Sequence, residues 1–147
     1  MAIETIGQQL PPAGREAGSE RLPGEALRFA GSLRRLGGER DLAACARALA
    51  DHGCEYVLIT GTHLAGAEVV NTLYDESGVV REDRWPRLPH EYHGSGCTLA
   101  SAIAAYLARG LEPPQAVGEA QRFTWQALAA GFAAGRGQLL PNRLCGR

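Results

Sequence analysis

The sequence predicts an α/β domain on three observations. A helical pattern that begins after Asp41 leads directly into EYVLITG, a short apolar run at residues 55–61. Two β-rich runs then flank DESG, residues 75–78, which has the composition of a tight turn. Two further helical patterns come next, separated by Gly110 and Pro113. Helix, buried strand, hairpin and paired helices together indicate one α/β domain.

The first 38 residues differ in composition from the rest of the chain. Residues 1–38 are crowded with Gly, Pro, Arg and Glu and show neither a helical stripe nor a strand alternation. We expect this segment to be irregular or disordered, although LPGEALRF, residues 22–29, is compatible with one helical turn. We therefore place the folded part at residues 39–143.

The first structural unit is a helix followed by a strand. Asp41 suits the N-cap of the helix and Gly53 its end. Between them, apolar side chains recur at helical spacing: Leu42, Cys45, Ala46 and Leu49. The continuous apolar run at residues 55–61 is typical of a buried parallel strand.

A hairpin is predicted next. AEVVNTLY, residues 67–74, forms its first strand and VVRED, residues 79–83, its second, with DESG as the turn. WPRLPH, residues 85–90, contains two prolines, which suit neither a helix nor an inner strand. We expect a loop there that leads to a glycine-rich turn.

Two packed helices are predicted after that turn. The first begins near Cys97 or Thr98 and ends before Gly110, and the second begins at Pro113 and Pro114. Their apolar faces are Leu99, Ile103, Tyr106 and Leu107 on the first helix, and Val117, Ala120, Phe123, Ala127 and Leu128 on the second. We expect the tail GRGQLLPNRLCGR to be irregular.

Charge and composition exclude several classes of function. A net charge of -1 argues against nucleic acid or an anionic membrane as the main partner, because both need a concentrated basic face. The chain has no lysine, which removes the GxxxxGK[ST] phosphate loop and Schiff-base chemistry. A bound phosphate would therefore be held by backbone N–H groups or by arginine.

The cysteines and the hydropathy pattern predict a cytoplasmic protein. The chain has four cysteines, Cys45, Cys54, Cys97 and Cys145, and none of them forms a CxxC pair. No apolar signal segment precedes them, and no apolar run approaches transmembrane length. We expect independent, reduced thiols.

The stretch HGSGC, residues 93–97, carries the strongest chemical signal. Gly94 and Gly96 permit a backbone that points successive N–H groups at one spot, and the next helix adds the positive end of its dipole. This pattern fits an anion site, and it equally fits an ordinary turn. Cys97 lies where a helix start favours the thiolate, which suits a base or nucleophile; the alternative is a small buried side chain.

Two other patterns are weaker. His90, His93 and Cys97 have the spacing H-x2-H-x3-C, but no second ligand pair accompanies them, so we predict no metal site. Residues 61–63, GTH, come after the buried strand, and the ends of strands are where open α/β sheets place ligand contacts. The same residues also fit an ordinary strand-to-loop turn.

Taken in order, four segments resemble a known family. YVLITGTH, VVNTLYDESG, HGSGCTLASAIAAYLARG and AVGEAQRFTWQAL are similar to the C-terminal part of the hydroxymethylpyrimidine/phosphomethylpyrimidine kinases of thiamine biosynthesis, in the ribokinase-like superfamily. The similarity runs from about Asp41 to Arg143. It implies a partial three-layer α/β/α sandwich, the C-terminal half of that fold, with a β-hairpin and two C-terminal helices. It also implies ATP-dependent phosphorylation of 4-amino-5-hydroxymethyl-2-methylpyrimidine and of its monophosphate.

The resemblance assigns roles to particular residues. It implies that an anion hole for the moving phosphoryl group is formed by the backbone amides of Gly94, Ser95, Gly96 and Cys97, and that Cys97 takes the proton of the acceptor hydroxyl. The residues expected near the nucleotide are Thr60, Gly61, His63 and His93. ATP and Mg²⁺ are the implied cofactors, and the Mg²⁺ ligands are not identifiable in this chain.

Members of this family are much longer, and residues 1–38 show no counterpart of their N-terminal half. We therefore expect, besides the pyrimidine and ATP, a homodimer or a complementing N-terminal half as partner. Two alternatives stay open: a truncated, non-catalytic kinase fragment that binds nucleotide or a partner, and an enzyme of pyridoxal-kinase type.

Overall fold

The computed structural model describes residues 2–6, 27–28, 42–51, 53–61 and 65–145. Its elements are, in chain order, β1 (Ala2–Ile6), β2 (Leu27–Arg28), α1 (Leu42–Ala50), β3 (Tyr56–Thr60), β4 (Glu68–Asp75), β5 (Gly78–Pro86), α2 (Ser95–Ala108) and α3 (Pro113–Ala129). The chain divides into two compact units, Met1–His63 with Asn71–Glu82 and Leu64–Val70 with Asp83–Arg147. None of the helices in the described ranges is long and apolar enough to cross a membrane.

The sheet has the strand order β2-β1-β3-β4-β5. The prediction that β3 is a parallel strand is wrong, because β3 pairs antiparallel with both β1 and β4. The connection from β3 to β4, residues 61–67, is too short for the crossover of a dozen or more residues that parallel strands require. The apolar run correctly indicated burial, and Leu58 is fully buried, but burial does not fix strand direction.

The predicted helix-strand unit is confirmed. On one side of α1, Cys45 and Ala46 are buried in a cluster with Val57, Ile59 and Tyr74 of β3 and β4. Alternate residues of β3 point to the same face of the sheet, which is why Val57 and Ile59 meet the helix together. Gly53, with φ 89°, comes after the helix as expected. The proposed N-cap, Asp41, lies outside the described residues.

Near the N-terminus, two short strands are present where irregular structure was expected. β1 pairs with β3 from Ala2 opposite Thr60 to Ile6 opposite Tyr56, and β2 pairs with β1. The expectation of irregular structure is therefore wrong for these two strands, and the suggested helical turn is wrong at Leu27 and Arg28. Pairing with a distant strand supplies hydrogen bonds that no local pattern reveals. The rest of residues 1–38 lies outside the described part.

The predicted hairpin is confirmed, and its turn is closed by one carboxylate. Asp75 Oδ1 accepts hydrogen bonds from Ser77 N at 2.7 Å, Ser77 Oγ at 2.6 Å and Gly78 N at 3.1 Å. Gly78 has φ 127°, a conformation that side chains disfavour. The hydrogen bond from the Ser77 hydroxyl, with those from the backbone N–H groups of Ser77 and Gly78, lowers the pKa of Asp75 below its ordinary value of 3.8, whereas desolvation acts in the opposite direction.

The second strand of the hairpin is longer than predicted. β5 continues through Trp85 and Pro86, where a loop was expected. A proline is tolerated there because β5 is last in the strand order, so its outer side has no ladder bond to lose. The Trp85 ring stacks on Trp125 with centroids 6.2 Å apart, and its Nε1 donates to Gln121 Oε1 at 3.0 Å.

The predicted helix pair is confirmed in the second unit, where α2 and α3 pack against each other. Gly110, with φ 85°, comes directly after α2 and its C-cap, and Pro113 opens α3. Most of the predicted apolar positions are buried: Leu99, Ile103, Val117, Ala120 and Ala127, with Tyr106, Leu107, Phe123 and Leu128 half-buried.

The C-terminal tail is more ordered than predicted. Leu139 forms a parallel bridge with Tyr92, and Leu140 forms an antiparallel bridge with Phe132. Asn142 N then donates to Ala127 O at 2.8 Å, at the end of α3. The expectation of an irregular tail is wrong for this segment, because its order comes from hydrogen bonds to the chain before α2 and after α3.

Candidate functional site

The glycine turn forms the start of helix α2. Gly94 is its N-cap, with φ 82° and ψ 15°, a left-handed conformation that is unfavourable for residues with a Cβ. The helix begins at Ser95, two residues earlier than Cys97, so Ser95, Gly96 and Cys97 form its first turn. The predicted junction between turn and helix is therefore present, and the helix starts directly after Gly94.

Three amides of the first turn of α2 are available to a ligand. The Thr98 N–H donates to Gly94 O at 3.0 Å, whereas the N–H groups of Ser95, Gly96 and Cys97 precede any helical acceptor. No acceptor within the described residues binds these three amides, and the N-cap makes no side-chain hydrogen bond. Because the positive end of the helix dipole lies at the same place, the turn can bind an oxyanion.

Cys97 is an exposed, free thiol on this first turn. The alternative that Cys97 is a small buried side chain is therefore wrong. Of the four cysteines, Cys45 is the one buried in the core. An exposed sulfur beside free amides is placed to react with, or take a proton from, a molecule bound at the turn.

The histidines before the turn have different surroundings. His93 is exposed, and its backbone N–H is already bound to Leu139 O at 2.9 Å, so this amide is not a further donor for an anion. His90 packs edge-on against Tyr92, with ring centroids 6.5 Å apart. Among the residues that the structure describes, no group of three His, Cys, Asp or Glu side chains could hold a metal ion.

The strand-end residues lie in the first unit, apart in sequence from the glycine turn. Thr60 ends β3 and is buried, and the Gly61 N–H donates to Asn71 Oδ1 at 3.1 Å. This amide therefore has a structural partner inside the protein. His63, the third residue of the predicted group, lies outside the described residues.

Sequence reasoning missed Arg143, which reaches the glycine turn from the tail. Its Nε donates to Thr98 Oγ1 at 3.0 Å, and Thr98 Oγ1 donates to Gly94 O at 2.8 Å. Its Nη2 lies 3.3 Å from the position that a Cβ on Gly94 would occupy. The contact joins residues 45 positions apart, and no local motif marks it.

Sequence reasoning also missed the packing of Tyr92 on Gly131. A Cβ on Gly131 would lie 2.8 Å from Leu128 O and 2.9 Å from Tyr92 Cε1, distances that real side chains do not adopt. Burial raises the pKa of Tyr92 above its ordinary value of 10.0. A glycine at position 131 therefore lets the tyrosine ring pack beside the end of α3 and helps to hold the segment before the glycine turn.

Comparison with known proteins identifies the family. Residues 24–142 match the family described as phosphomethylpyrimidine kinase. The chain is 43% identical over 107 residues to the hydroxymethylpyrimidine/phosphomethylpyrimidine kinase of Streptomyces coelicolor, a match that covers 70% of this chain and 38% of that protein. It is also 35% identical over 94 residues to a pyridoxine kinase of Bacillus subtilis, covering 63% of this chain and 34% of the relative.

A solved structure identifies the fold. The pyridoxal kinase of Staphylococcus aureus in complex with AMP-PCP superposes with a TM-score of 0.67 at 26% identity, over 76% of this chain and 41% of that one. The predicted fold class, a partial ribokinase-like α/β fold, is thereby confirmed. The chain spans between 34% and 41% of the length of these relatives. By sequence, the chain belongs to the phosphomethylpyrimidine kinase family.

Proposed function

We propose that this chain carries the phosphate-binding part of an ATP-dependent kinase that phosphorylates hydroxymethylpyrimidine and then its monophosphate. The observation that carries the proposal is the first turn of α2, where free amides and an exposed thiol adjoin a left-handed glycine. Membership of the family supports the same reaction. The kinase acts in the cytoplasm, on a small pyrimidine and ATP.

In this proposal, the amides of Ser95, Gly96 and Cys97, together with the Gly94 backbone, stabilise negative charge on the phosphoryl group during transfer. Preorganised N–H donors are effective in this role because they need no reorganisation when the charge develops. The Cys97 thiolate accepts the proton of the hydroxymethyl group. The hydroxymethyl oxygen at the same time attacks the γ-phosphorus of ATP, and ADP leaves. Thr60, Gly61, His63 and His93 are the further residues proposed near the nucleotide.

ATP supplies the phosphoryl group, and Mg²⁺ accompanies it in the proposal. The described residues do not fit a resident metal, because they include no group of three suitable side chains. We therefore assign no step to the metal. A homodimer or a complementing N-terminal half is the proposed partner, since the match covers 38% of the Streptomyces relative.

The two phosphorylations provide a specific test of Cys97. The first acceptor is a hydroxyl, which must lose a proton, whereas the second is a phosphate, which needs no base. We expect Cys97→Ala to lower kcat for the first step by about 100-fold, within the usual range for general base catalysis, and to affect the second step much less. ADP release is measured with each acceptor.

Cys145→Ala is the matched control, because it removes a partly buried thiol from the tail. An equal loss in both steps after Cys97→Ala would contradict the base assignment. If the wild-type chain binds ADP but turns over neither acceptor, the non-catalytic alternative is correct.

A pyridoxal kinase activity is the second candidate, favoured by the structural similarity to the Staphylococcus aureus enzyme. The family match and the higher identity to the Streptomyces relative favour the pyrimidine. Comparing kcat/KM for pyridoxal and for hydroxymethylpyrimidine separates the two, and a preference for pyridoxal would overturn the proposed acceptor.

A further inference from the structure

The guanidinium of Arg143 lies beside the glycine turn. Its Nε is bound to Thr98 Oγ1 at 3.0 Å, and its Nη2 is 3.3 Å from the position of a Cβ on Gly94. Thr98 is almost fully buried, with 2% of its surface exposed, so its hydroxyl is a fixed anchor. The guanidinium therefore has a defined orientation although Arg143 itself is exposed.

The backbone that carries Arg143 is held at several points. Leu139 exchanges hydrogen bonds with the chain on both sides of Tyr92: its N–H donates to Glu91 O at 3.0 Å, and its carbonyl accepts from His93 N at 2.9 Å. Leu140 exchanges two hydrogen bonds with Phe132, at 2.9 and 3.0 Å. The bonds of Leu139 tie the tail to the residues just before the turn, and those of Leu140 tie it to Phe132, which follows α3, so Arg143 and Gly94 are positioned by one connected network.

The remaining donors of Arg143 are free for an anion. A guanidinium has five N–H donors, and only the one on Nε is used by Thr98. Within the described residues, no carboxylate pairs with Arg143. The edge formed by its two terminal nitrogens has the geometry that binds two oxygens of one phosphate. In a chain without lysine, arginine is the side chain available for this role.

We propose that Arg143 is a phosphate-contacting residue of the glycine turn, held in place by Thr98, and that it binds the terminal phosphate oxygens of the nucleotide. This inference rests on the proposed function, because it assumes that a phosphoryl group occupies the turn. It adds a side-chain cation from the C-terminal tail to an anion site otherwise made of backbone amides.

The test is calorimetric titration of the whole chain with ADP, inorganic pyrophosphate and adenosine. Arg143→Gln removes the charge and is expected to raise Kd for ADP and pyrophosphate by about 10- to 100-fold, the usual effect of losing a charged hydrogen bond. The affinity for adenosine, which has no phosphate, should not change. Arg143→Lys keeps the charge but not the two-pronged geometry and should give an intermediate Kd.

Two further variants separate binding from structure. Arg136→Gln is the matched control, because it removes an exposed arginine from the same tail and should leave every Kd unchanged. Thr98→Val keeps the shape of the side chain but removes the anchor. If Arg143 acts through that anchor, Thr98→Val and Arg143→Gln will be less than additive in their effect on ADP binding.

Each result decides between the two proposals. If the wild type binds ADP and Arg143→Gln binds it equally well, the role of Arg143 is overturned and the proposed function stands. If Arg143→Gln weakens pyrophosphate binding in a chain that transfers no phosphoryl group, the role of Arg143 stands and the proposed function falls. A wild type that binds neither ADP nor pyrophosphate overturns both.

Discussion

Two of the glycine turns in the described part of the chain, at Gly78 and at Gly94, use the same backbone chemistry differently. In the hairpin turn, Gly78 has a positive φ, and the amides of Ser77 and Gly78 donate to the Asp75 carboxylate. In the turn before α2, Gly94 also has a positive φ, but no described side chain accepts from the amides of the next three residues. One turn carries its own anion, and the other leaves its donors free for an external one.

The two turns also differ in what holds them. The bonds that close the hairpin turn lie within residues 75–78, so that turn depends on its own sequence. The turn at Gly94 depends on Thr98, on Arg143 and on the tail segment that pairs with Tyr92. A closed local turn is a structural device, whereas an open turn fixed by distant residues is the arrangement expected of a binding site.

The largest effect should come from giving the open turn an anion of its own. Gly94→Asp places a carboxylate among the free amides and next to Arg143, which lies 3.3 Å from the new Cβ. We expect the Asp variant to bind ADP roughly 100-fold more weakly than Gly94→Asn. The new carboxylate repels the phosphates of ADP, and like-charge contacts of this kind cost several kcal/mol. The two variants share the backbone strain, and both residue types tolerate a positive φ better than most. Equal Kd values by calorimetry would contradict the anion site.

A smaller effect is expected from disturbing the distant support of the open turn. Gly131→Ala brings a Cβ to 2.8 Å from Leu128 O and 2.9 Å from Tyr92 Cε1, so the backbone or the ring must move. We expect the free energy of unfolding, from urea denaturation, to fall by about 1–3 kcal/mol, the usual cost of overpacking. Gly137→Ala is the control, since its Cβ would meet nothing within 4 Å. If both variants unfold at the same urea concentration, the packing of Tyr92 on Gly131 does not stabilise the fold.

The smallest effect should come from the closed turn. Asp75→Asn keeps an acceptor oxygen but removes the charge that accepts from Ser77 and Gly78. Because the folded-state pKa of Asp75 lies below 3.8, its charge contributes stability above that pH, and the contribution is lost as pH falls through the folded-state pKa. The variant should unfold at slightly lower urea than wild type at about pH 7 and at the same urea at about pH 2.

This prediction also separates the two turns by function. ADP binding should be unchanged in Asp75→Asn, because the hairpin turn has no free amide among Ser77 and Gly78. A stability difference that persists unchanged at low pH would mean that the charge of Asp75 is not its cause.

The parts of the site that were predictable are those whose residues are contiguous in the sequence. The pattern HGSGC, with a helical repeat after it, specifies a turn, a helix start and a cysteine on its first turn, and the structure has all three. Arg143 was not predictable in this way, because a lone arginine in a tail has no periodicity and its contact depends on how the tail returns. Whether Cys97 was buried or exposed was equally open, since that depends on what packs over the first turn.

The sequence by itself determined the features whose cause is local: the buried run of β3, the Asp75–Gly78 turn, the end of α2 before Gly110, the start of α3 at Pro113, and the similarity that identifies the family. Only the tertiary structure decided the direction of β3, the extension of β5 through Pro86 and the path of the tail to Gly94. The physical reason is that burial and turn chemistry depend on neighbouring residues. Strand pairing and side-chain anchoring depend instead on residues that folding brings together from distant parts of the chain.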